Sequence, residues 1–188
     1  MDYQQRWRKR FRINLETPRF LLRPLVPADA EWIADLYLDP EVNRYLWDCA
    51  ATREEARHGA EAIVQLDQHM CHFGYWAIVD RESWEVHGWT DLGKLRPWEG
   101  PSDEIALSYV LRRTSWGQGI ATEAAGRLLQ YAFELHDLPC VMAVIIVGND
   151  ASKRVLEKLG MKALPKTRTL RDGKTLQYFR IEAPGERR

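Results

Sequence analysis

The stretch that decides the fold is Trp116-Gly117-Gln118-Gly119-Ile120-Ala121-Thr122-Glu123-Ala124, where two glycines separate a strand pattern from a helix pattern. Residues 105–111 form an apolar run typical of a buried strand, and residues 120–136 carry apolar side chains at helical spacing. The glycines allow the backbone to curl until successive N–H groups point at one place, just ahead of a helix N-terminus. The stretch therefore predicts a binding site for an anion.

Spacing excludes two common phosphate-binding loops. A P-loop ends in Gly-Lys-Ser/Thr, whereas Gly119 is followed by Ile120. The dinucleotide fingerprint needs a small residue where Thr122 stands and an acidic residue about 20 positions later, and the strand pattern at 140–147 has no acid. Because Gly-x-Gly alone also fits an ordinary tight turn, the ligand has to be identified from other features.

A second motif further along the chain points to a family. A run rich in β-formers at 141–147 leads into Asn149-Asp150-Ala151-Ser152-Lys153-Arg154-Val155-Leu156-Glu157-Lys158-Leu159-Gly160-Met161. This motif, together with the glycine stretch and with Tyr109 seven residues before Trp116, resembles the GCN5-related N-acetyltransferases (GNAT). The resemblance runs from about residue 17 to 181. It is closest to the RimJ/RimL-like branch, which acetylates the N-termini of ribosomal proteins.

Patterns along the chain predict the order strand, helices, three strands, helix, strand, helix and hairpin, which is an α+β arrangement with a mixed sheet. The resemblance implies the GNAT fold, in which a mostly antiparallel sheet of about seven strands is flanked by helices. It also implies a splay between strands four and five, here 104–112 and 140–147. The pantetheine arm of acetyl-CoA would insert there like an extra strand.

Local signals place several element boundaries. A strand pattern covers Ile13 to Leu25, and Val26-Pro27-Ala28-Asp29 then opens a helix, with proline suited to its first turn. Thr52-Arg53-Glu54-Glu55 is a capping box that predicts a helix reaching about Met70. Arg171-Asp172-Gly173-Lys174 predicts the turn of the last hairpin.

The length of the chain suits one domain, which we place at residues 13–183. Residues 1–12 form a basic arm in which five Lys and Arg residues alternate with Trp7 and Phe11. Such an arm could contact the ribosome or RNA. The alternative is a solvated tail whose two aromatic side chains pack on the domain or on a second subunit of a homodimer.

Composition excludes several classes of protein. Lys plus Arg and Asp plus Glu both number 27, so the net charge gives no general reason to bind nucleic acid or an anionic membrane. No run approaches the length of a membrane span, and Cys49, Cys71 and Cys140 lack disulfide spacing, so we expect a cytoplasmic protein. His69 and His72 lie beside Cys71, but a second cluster is missing, and we expect no metal.

The resemblance assigns acetyl-CoA contacts residue by residue. Backbone groups of the glycine stretch would hold the diphosphate, strand residues would bond pantetheine through the main chain, and Asn149 would bond its amide. The alternative role for Asn149 or Asp150 is to cap the following helix. The expected acetyl-CoA contacts are Tyr109, Val110, Leu111, Trp116, Gly117, Gln118, Gly119, Ile120, Ala121, Thr122, Asn149 and Ser152.

Catalysis is expected to be direct attack of a neutral amine on the acetyl carbonyl, with a strand N–H of Val110 or Leu111 stabilising the oxyanion. Relatives in this branch carry a Glu base where Ala106 stands, and Glu104, two residues earlier on the same strand face, is the candidate replacement. Asp91 and Asp103 are weaker alternatives. Ser152 is the candidate acid at the thiolate, although a water would serve as well.

The acceptor is predicted to be a protein N-terminal α-amine. Neutralising an amine of pKa about 8 at pH 7 costs about 1.4 kcal/mol, against about 4.6 kcal/mol for a lysine side chain, so a weakly placed base favours the α-amine. Tryptophans near the site, of which Trp98 is expected to be accessible, suit a cationic amine. Two other functions are left open, namely acetylation of an antibiotic or polyamine, and a non-catalytic acyl-CoA-binding module.

Overall fold

The computed structural model describes residues 13–46, 51–69, 73–96, 99 and 104–185. Five α-helices and eight strands form in these parts of the chain. In chain order they are β1 (Leu15–Glu16), β2 (Phe20–Pro24), α1 (Asp29–Leu38), α2 (Pro40–Asn43), α3 (Arg53–His69), β3 (Gly74–Asp80), β4 (Val86–Lys94), β5 (Ile105–Leu111), a 3-10 turn (Arg113–Ser115), α4 (Ile120–Glu134), β6 (Cys140–Ile146), α5 (Asp150–Lys158), β7 (Lys162–Thr169) and β8 (Thr175–Glu182).

All eight strands belong to one sheet, in the order β1-β2-β3-β4-β5-β6-β8-β7. Only the β5–β6 pair is parallel. The predicted mixed, mostly antiparallel sheet is therefore confirmed, with one strand more than expected. The extra strand arises because a turn divides the pattern at 13–25: Thr17 N–H donates to the Phe20 carbonyl (2.9 Å), and Phe20 N–H donates to Thr17 Oγ1 (2.8 Å).

Helices cover both faces of the sheet, so the core lies in two layers. On one face, α4 and α5 bury a cluster that includes Leu107, Ala124, Leu128 and Leu156. On the other face, α1 and α3 pack on each other and on Tyr75, Ala77 and Trp89 of the central strands. The helical spacing of apolar residues predicted from the sequence follows from this one-sided burial.

Two predicted boundaries are confirmed by their hydrogen bonds. The capping box opens α3: Glu55 N–H donates to Thr52 Oγ1 (3.2 Å), and the Glu55 carboxylate accepts from Thr52 N–H (3.3 Å). The final hairpin turns at Arg171–Lys174, where Leu170 N–H donates to the Lys174 carbonyl (2.8 Å). The predictions for the 1–12 arm, Cys71, His72, Trp98 and Asp103 lie outside the described residues.

The central junction of the sheet is open. Strands β4 and β5 share seven residue pairs, as do β6 and β8, whereas β5 and β6 share only Ala106 with Met142. Beyond that pair the two strands diverge. The predicted splay between strands 104–112 and 140–147 is thus confirmed, and it places an unfilled gap in the middle of the sheet.

None of the described helices is long and apolar enough to cross a membrane. In the same part of the chain, no group of three or more His, Cys, Asp or Glu side chains is arranged to hold a metal ion.

Candidate active site

The glycine stretch forms a tight turn at the start of α4. Gly117 and Gly119 both have φ of +76°, a left-handed conformation that side chains with a Cβ rarely adopt. Gly119 is the N-cap of α4 and brings no side chain to cap it. Because the first N–H groups of a helix lack partners within the helix, this turn presents donors and the positive end of the α4 dipole. The geometry suits an anion such as a phosphate.

Arg19 braces this turn from the neighbouring β1–β2 segment. Its Nε donates to the Glu123 carboxylate (2.7 Å), its backbone N–H donates to the same carboxylate (3.0 Å), and its Nη1 donates to the Gln118 carbonyl (3.1 Å). A Cβ placed on Gly119 would lie 3.6 Å from Arg19 Nη2. Arg19 was not predicted as part of the site, because it lies about 100 positions before the turn and no local motif contains it.

Two cavities lie along the open junction between β5 and β6. The smaller, of about 280 Å³, runs from the glycine turn along β5 and the start of α5. The larger, of about 640 Å³, lies between the sheet and helices α1 and α3. They share six lining residues, so they form one continuous cleft through the splay: Tyr45, Leu46, Tyr109, Val110, Asn149 and Ser152.

Most of the predicted acetyl-CoA contacts line the smaller cavity. The exception is Gln118, whose side-chain amide donates to the Thr114 carbonyl (2.8 Å). The structure brings the others together around one groove: Tyr109, Val110, Leu111, Trp116, Gly117, Gly119, Ile120, Ala121, Thr122, Asn149 and Ser152. Their roles in binding remain predictions.

Asn149 and Ser152 meet where the two cavities join. Asn149 is the N-cap of α5, because its Oδ1 accepts a hydrogen bond from Ser152 N–H (3.1 Å). The Asn149 side-chain oxygen therefore caps α5, as the alternative interpretation predicted. The N–H groups of the same side chain are a separate set of donors at the cleft. The Tyr109 hydroxyl donates to the Ser152 carbonyl (3.2 Å), and burial raises the pKa of Tyr109 well above its usual range. Tyr109 thus stays protonated and ties β5 to α5 across the gap.

Trp116 fixes the end of β5. Its indole N–H donates to the Leu111 carbonyl (3.0 Å), and its side chain remains 41% exposed beside the smaller cavity. That carbonyl is therefore already engaged by the protein. Of the three β5 residues predicted to bond pantetheine, Tyr109 and Val110 line both cavities, whereas Leu111 lines the smaller one.

A bridge formed by Tyr45 and Leu46 spans the cleft. The Tyr45 hydroxyl donates to the Gly148 carbonyl (3.1 Å), and the Leu46 carbonyl accepts from Lys174 Nζ (3.1 Å). We refer to these two residues as the Tyr45–Leu46 bridge. It joins the segment after α2 to the β6–β8 side of the sheet. No local pattern predicts this bridge, because both contacts cross more than 100 residues.

A buried polar cluster closes the far end of the larger cavity. Arg96 and Glu99 line the cavity, and Arg96 N–H donates to the Glu99 carboxylate (2.7 Å). The Arg96 guanidinium donates to the Tyr75 hydroxyl (3.0 Å) and lies 3.8 Å from Glu99 Oε1. Burial raises the pKa of Glu99, whereas Arg96 remains charged.

Asp91 lies beside this cluster on β4 and is only 5% exposed. Burial raises its pKa to about 6, and the pull of Arg96 and a hydrogen bond from the Ser108 side chain oppose that rise. Its Oδ1 has no hydrogen-bond partner among the described residues. Asp91 is thus a buried carboxylate that is ionised near pH 7 and can take up a proton.

Glu104, the predicted base, lies at the start of β5 in a different setting. Its Oε1 is 3.1 Å from Arg180 Nη1, and it lines neither cavity of the described cleft. It does share a strand face with Ala106, as expected. The structure therefore pairs Glu104 with a cation at the sheet end, and its catalytic role stays a prediction.

Comparison with known proteins agrees with this geometry. The family model of the acetyltransferase (GNAT) domain matches residues 19–162, which is most of the chain. The chain belongs to the GNAT acetyltransferase family. It is therefore an acyltransferase, and acetyl transfer from acetyl-CoA to an amine is the chemistry of its family.

Two curated proteins resemble this acetyltransferase in sequence, and one solved structure resembles it in fold. The chain is 31% identical over 152 residues to the uncharacterized protein YkkB of Bacillus subtilis, covering 79% of this chain and 84% of that one. It is 29% identical over 153 residues to the FsC-acetyl coenzyme A-N(2)-transacetylase of Aspergillus fumigatus, covering 79% and 64%. Its fold matches the solved structure of RimL, a ribosomal L7/L12 α-N-protein acetyltransferase in complex with coenzyme A, with TM-score 0.72, 16% identity, and coverage of 90% and 98%.

Proposed function

We propose that this acetyltransferase moves the acetyl group of acetyl-CoA to a single primary amine, preferentially the α-amine of a polypeptide N-terminus. The observation that carries the proposal is the continuous cleft through the β5–β6 splay. One end of the cleft has the donors that a diphosphate needs, and the other opens into a separate chamber large enough for an acceptor.

The chamber suits an acceptor with one positive charge. The charged side chains among its described lining residues are Glu55, Arg96 and Glu99. Arg96 contacts Glu99 and Tyr75, and its positive charge offsets that of one of the two carboxylates. The lining therefore has little excess negative charge with which to bind a polycation. The wall contributed by α3 is largely apolar, and Leu66 is 61% exposed at its side. Such a wall favours an amine carried on an uncharged, partly apolar body.

The energetics of deprotonation favour an α-amine. A neutral nucleophile costs about 1.4 kcal/mol at pH 7 for an amine of pKa about 8, and about 4.6 kcal/mol for a lysine side chain. Attack by the neutral amine on the thioester carbonyl would form the C–N bond, and an N–H of β5 at Val110 or Leu111 would stabilise the oxyanion. Collapse would break the C–S bond, and the attacking nitrogen would lose its second proton to water. The released thiolate would take a proton from water, directly or through Ser152, which water would reprotonate.

Acetylation of a small-molecule amine is the second candidate. The similarity to the FsC-acetyl coenzyme A-N(2)-transacetylase supports it, since that name denotes acetyl transfer at a nitrogen, N(2), of an acceptor named FsC. The chamber of about 640 Å³ is also large enough for a drug-sized compound.

A thiol-release assay with acetyl-CoA distinguishes these candidates. The acceptor panel contains peptides with free N-termini, the same peptides acetylated at the N-terminus but with a free lysine, polyamines, and hydrophobic monoamines. We expect turnover to be highest with free N-terminal peptides. Faster turnover with the blocked lysine peptides or with polyamines contradicts the proposal, and preference for monoamines selects the second candidate.

A further inference from the structure

Asp91 and Ser108 face each other across two central strands at the edge of the larger cavity, which we refer to as the acceptor chamber. They are a residue pair in the β4–β5 register, next to the pair formed by Gly93 and Ala106. Ser108 lines the chamber, and its side chain lies on the same strand face as the carboxylate of Asp91, whose ionised form it favours. Asp91 lies behind Ser108 and does not line the chamber itself.

Two small neighbours make room for this carboxylate. A Cβ built on Gly93 would lie 3.4 Å from Asp91 Oδ2, so the carboxylate leans over the Gly93 backbone towards the next residue pair. The partner across the strand there is Ala106, whose side chain is a single methyl group. A larger residue at Gly93 would therefore press on the Asp91 carboxylate.

The groups around Asp91 both favour and oppose its ionisation. The charged and titratable groups that face Asp91 come from four other parts of the fold: Asp67 on α3, Tyr75 on β3, Tyr37 on α1, and Arg96 and Glu99 after β4. Arg96 keeps Asp91 ionised, whereas Asp67 and Glu99 oppose ionisation. One oxygen of Asp91 also remains without a hydrogen-bond partner among the described residues.

We propose that Ser108 and Asp91 form the proton relay that converts the acceptor ammonium into the attacking amine. The ammonium gives one proton to Ser108 Oγ as the Ser108 hydroxyl proton passes to the Asp91 carboxylate. The products of this step are a neutral amine and a neutral Asp91. After transfer, Asp91 returns its proton through Ser108 to water in the chamber. The assignment rests on the proposed acetyl transfer and names the residues that prepare its nucleophile.

The test compares pH profiles of kcat/KM for Asp91→Asn, Ser108→Ala and the double variant, with a free N-terminal peptide. At pH 7 we expect Asp91→Asn and Ser108→Ala each to lose up to about tenfold, because about one α-amine in ten, with pKa about 8, is already neutral there. The loss should shrink above pH 8, where the amine is already neutral. The double variant should be no worse than Asp91→Asn, because the two residues act as one unit.

Asp35→Asn serves as the matched control, because Asp35 forms an exposed ion pair with Arg53 and lines neither cavity. It should retain the wild-type profile. Glu104→Gln is the competing variant: a loss in this variant, with Asp91→Asn unaffected, overturns the relay. Wild-type profiles for both Asp91→Asn and Ser108→Ala overturn it as well.

Thermal stabilisation by coenzyme A separates this proposal from the proposed function. Asp91→Asn and Ser108→Ala should keep the stabilisation, because neither residue lies at the glycine turn. Should Asp91→Asn fail to fold, Ser108→Ala decides alone, since it removes only a hydroxyl. If the wild-type protein releases no thiol with any amine, the proposed function fails and this assignment falls with it.

Discussion

Asp91 is the residue whose setting departs most from that of an ordinary carboxylate. Its pKa rises from 3.8 to about 6 because burial penalises the charged form more than Arg96 and Ser108 favour it. The ionised side chain therefore costs the folded state free energy at neutral pH, and the cost fades as pH falls below about 6. A residue kept at such a cost has to be explained by its surroundings or by function.

The free energy of unfolding should report this cost. We expect the free energy of unfolding of the wild type to rise by about 2 kcal/mol relative to that of Asp91→Asn as pH is lowered from 7 to 4.5. The reason is that Asp91 takes up a proton more readily in the folded state than in the unfolded chain. Chemical denaturation of both proteins at each pH measures the difference. Titrating groups that lie away from Asp91 cancel in that comparison. A constant difference across this range would show that Asp91 has an ordinary pKa.

The glycine turn shows, at the level of an element, what the sequence could predict. Two glycines between a strand pattern and a helix pattern were enough to place the turn and α4, because backbone freedom and helical periodicity are local properties. The splay followed from the family resemblance. The Arg19 brace and the Tyr45–Leu46 bridge were missed, because each depends on contacts about 100 residues apart that leave no local pattern.

The same limit applies to the predicted base. Strand periodicity correctly placed Glu104 on the face of Ala106, but it carries no information about the partner on another strand. Arg180 of β8 reaches Glu104 only because β6 and β8 pair beside the splay. Likewise, the register that sets Asp91 opposite Ser108 depends on the β4–β5 pairing, which the residue pattern of either strand does not specify.

Replacing Gly119 by Val should abolish the thermal stabilisation that coenzyme A gives. The branched side chain would enter the smaller cavity where a diphosphate would lie, and it would also strain a backbone with φ of +76°. Such strain costs about 1–2 kcal/mol whatever the ligand. The informative quantity is therefore the shift in Tm on adding coenzyme A, measured within each variant.

Gly173→Val is the matched control for that strain. Gly173 has φ of +84° in the β7–β8 turn, and no atom lies within 4 Å of the Cβ it would gain. We expect a lower Tm but an unchanged shift with coenzyme A. A full shift in Gly119→Val would mean that the anion binds elsewhere.

At the scale of the whole molecule, the Tyr45–Leu46 bridge joins the two sides of the cleft. Tyr45→Phe removes the hydroxyl that donates to Gly148, a hydrogen bond worth about 0.5–1.5 kcal/mol. We expect coenzyme A to dissociate about two- to tenfold faster, because the bridge holds the two sides of the cleft together. Stopped-flow displacement measures this rate.

Lys174→Met tests the other half of the bridge. It removes the donor to the Leu46 carbonyl and should act in the same direction as Tyr45→Phe. Lys162→Met is the control, because Lys162 lies exposed on β7 and lines neither cavity. Equal dissociation rates in all three variants and wild type would show that the bridge does not hold the ligand.

Because β5 and β6 share a single residue pair, hydrogen exchange in β5 can report whether the gap between them is occupied. Peptide groups of residues 107–111 that face the gap have no residue pair with β6, so their protons should exchange readily for deuterium. A thioester arm lying in the gap would shield them. Deuterium uptake by this one segment therefore reads out donor occupancy directly, even with an acceptor that never reacts.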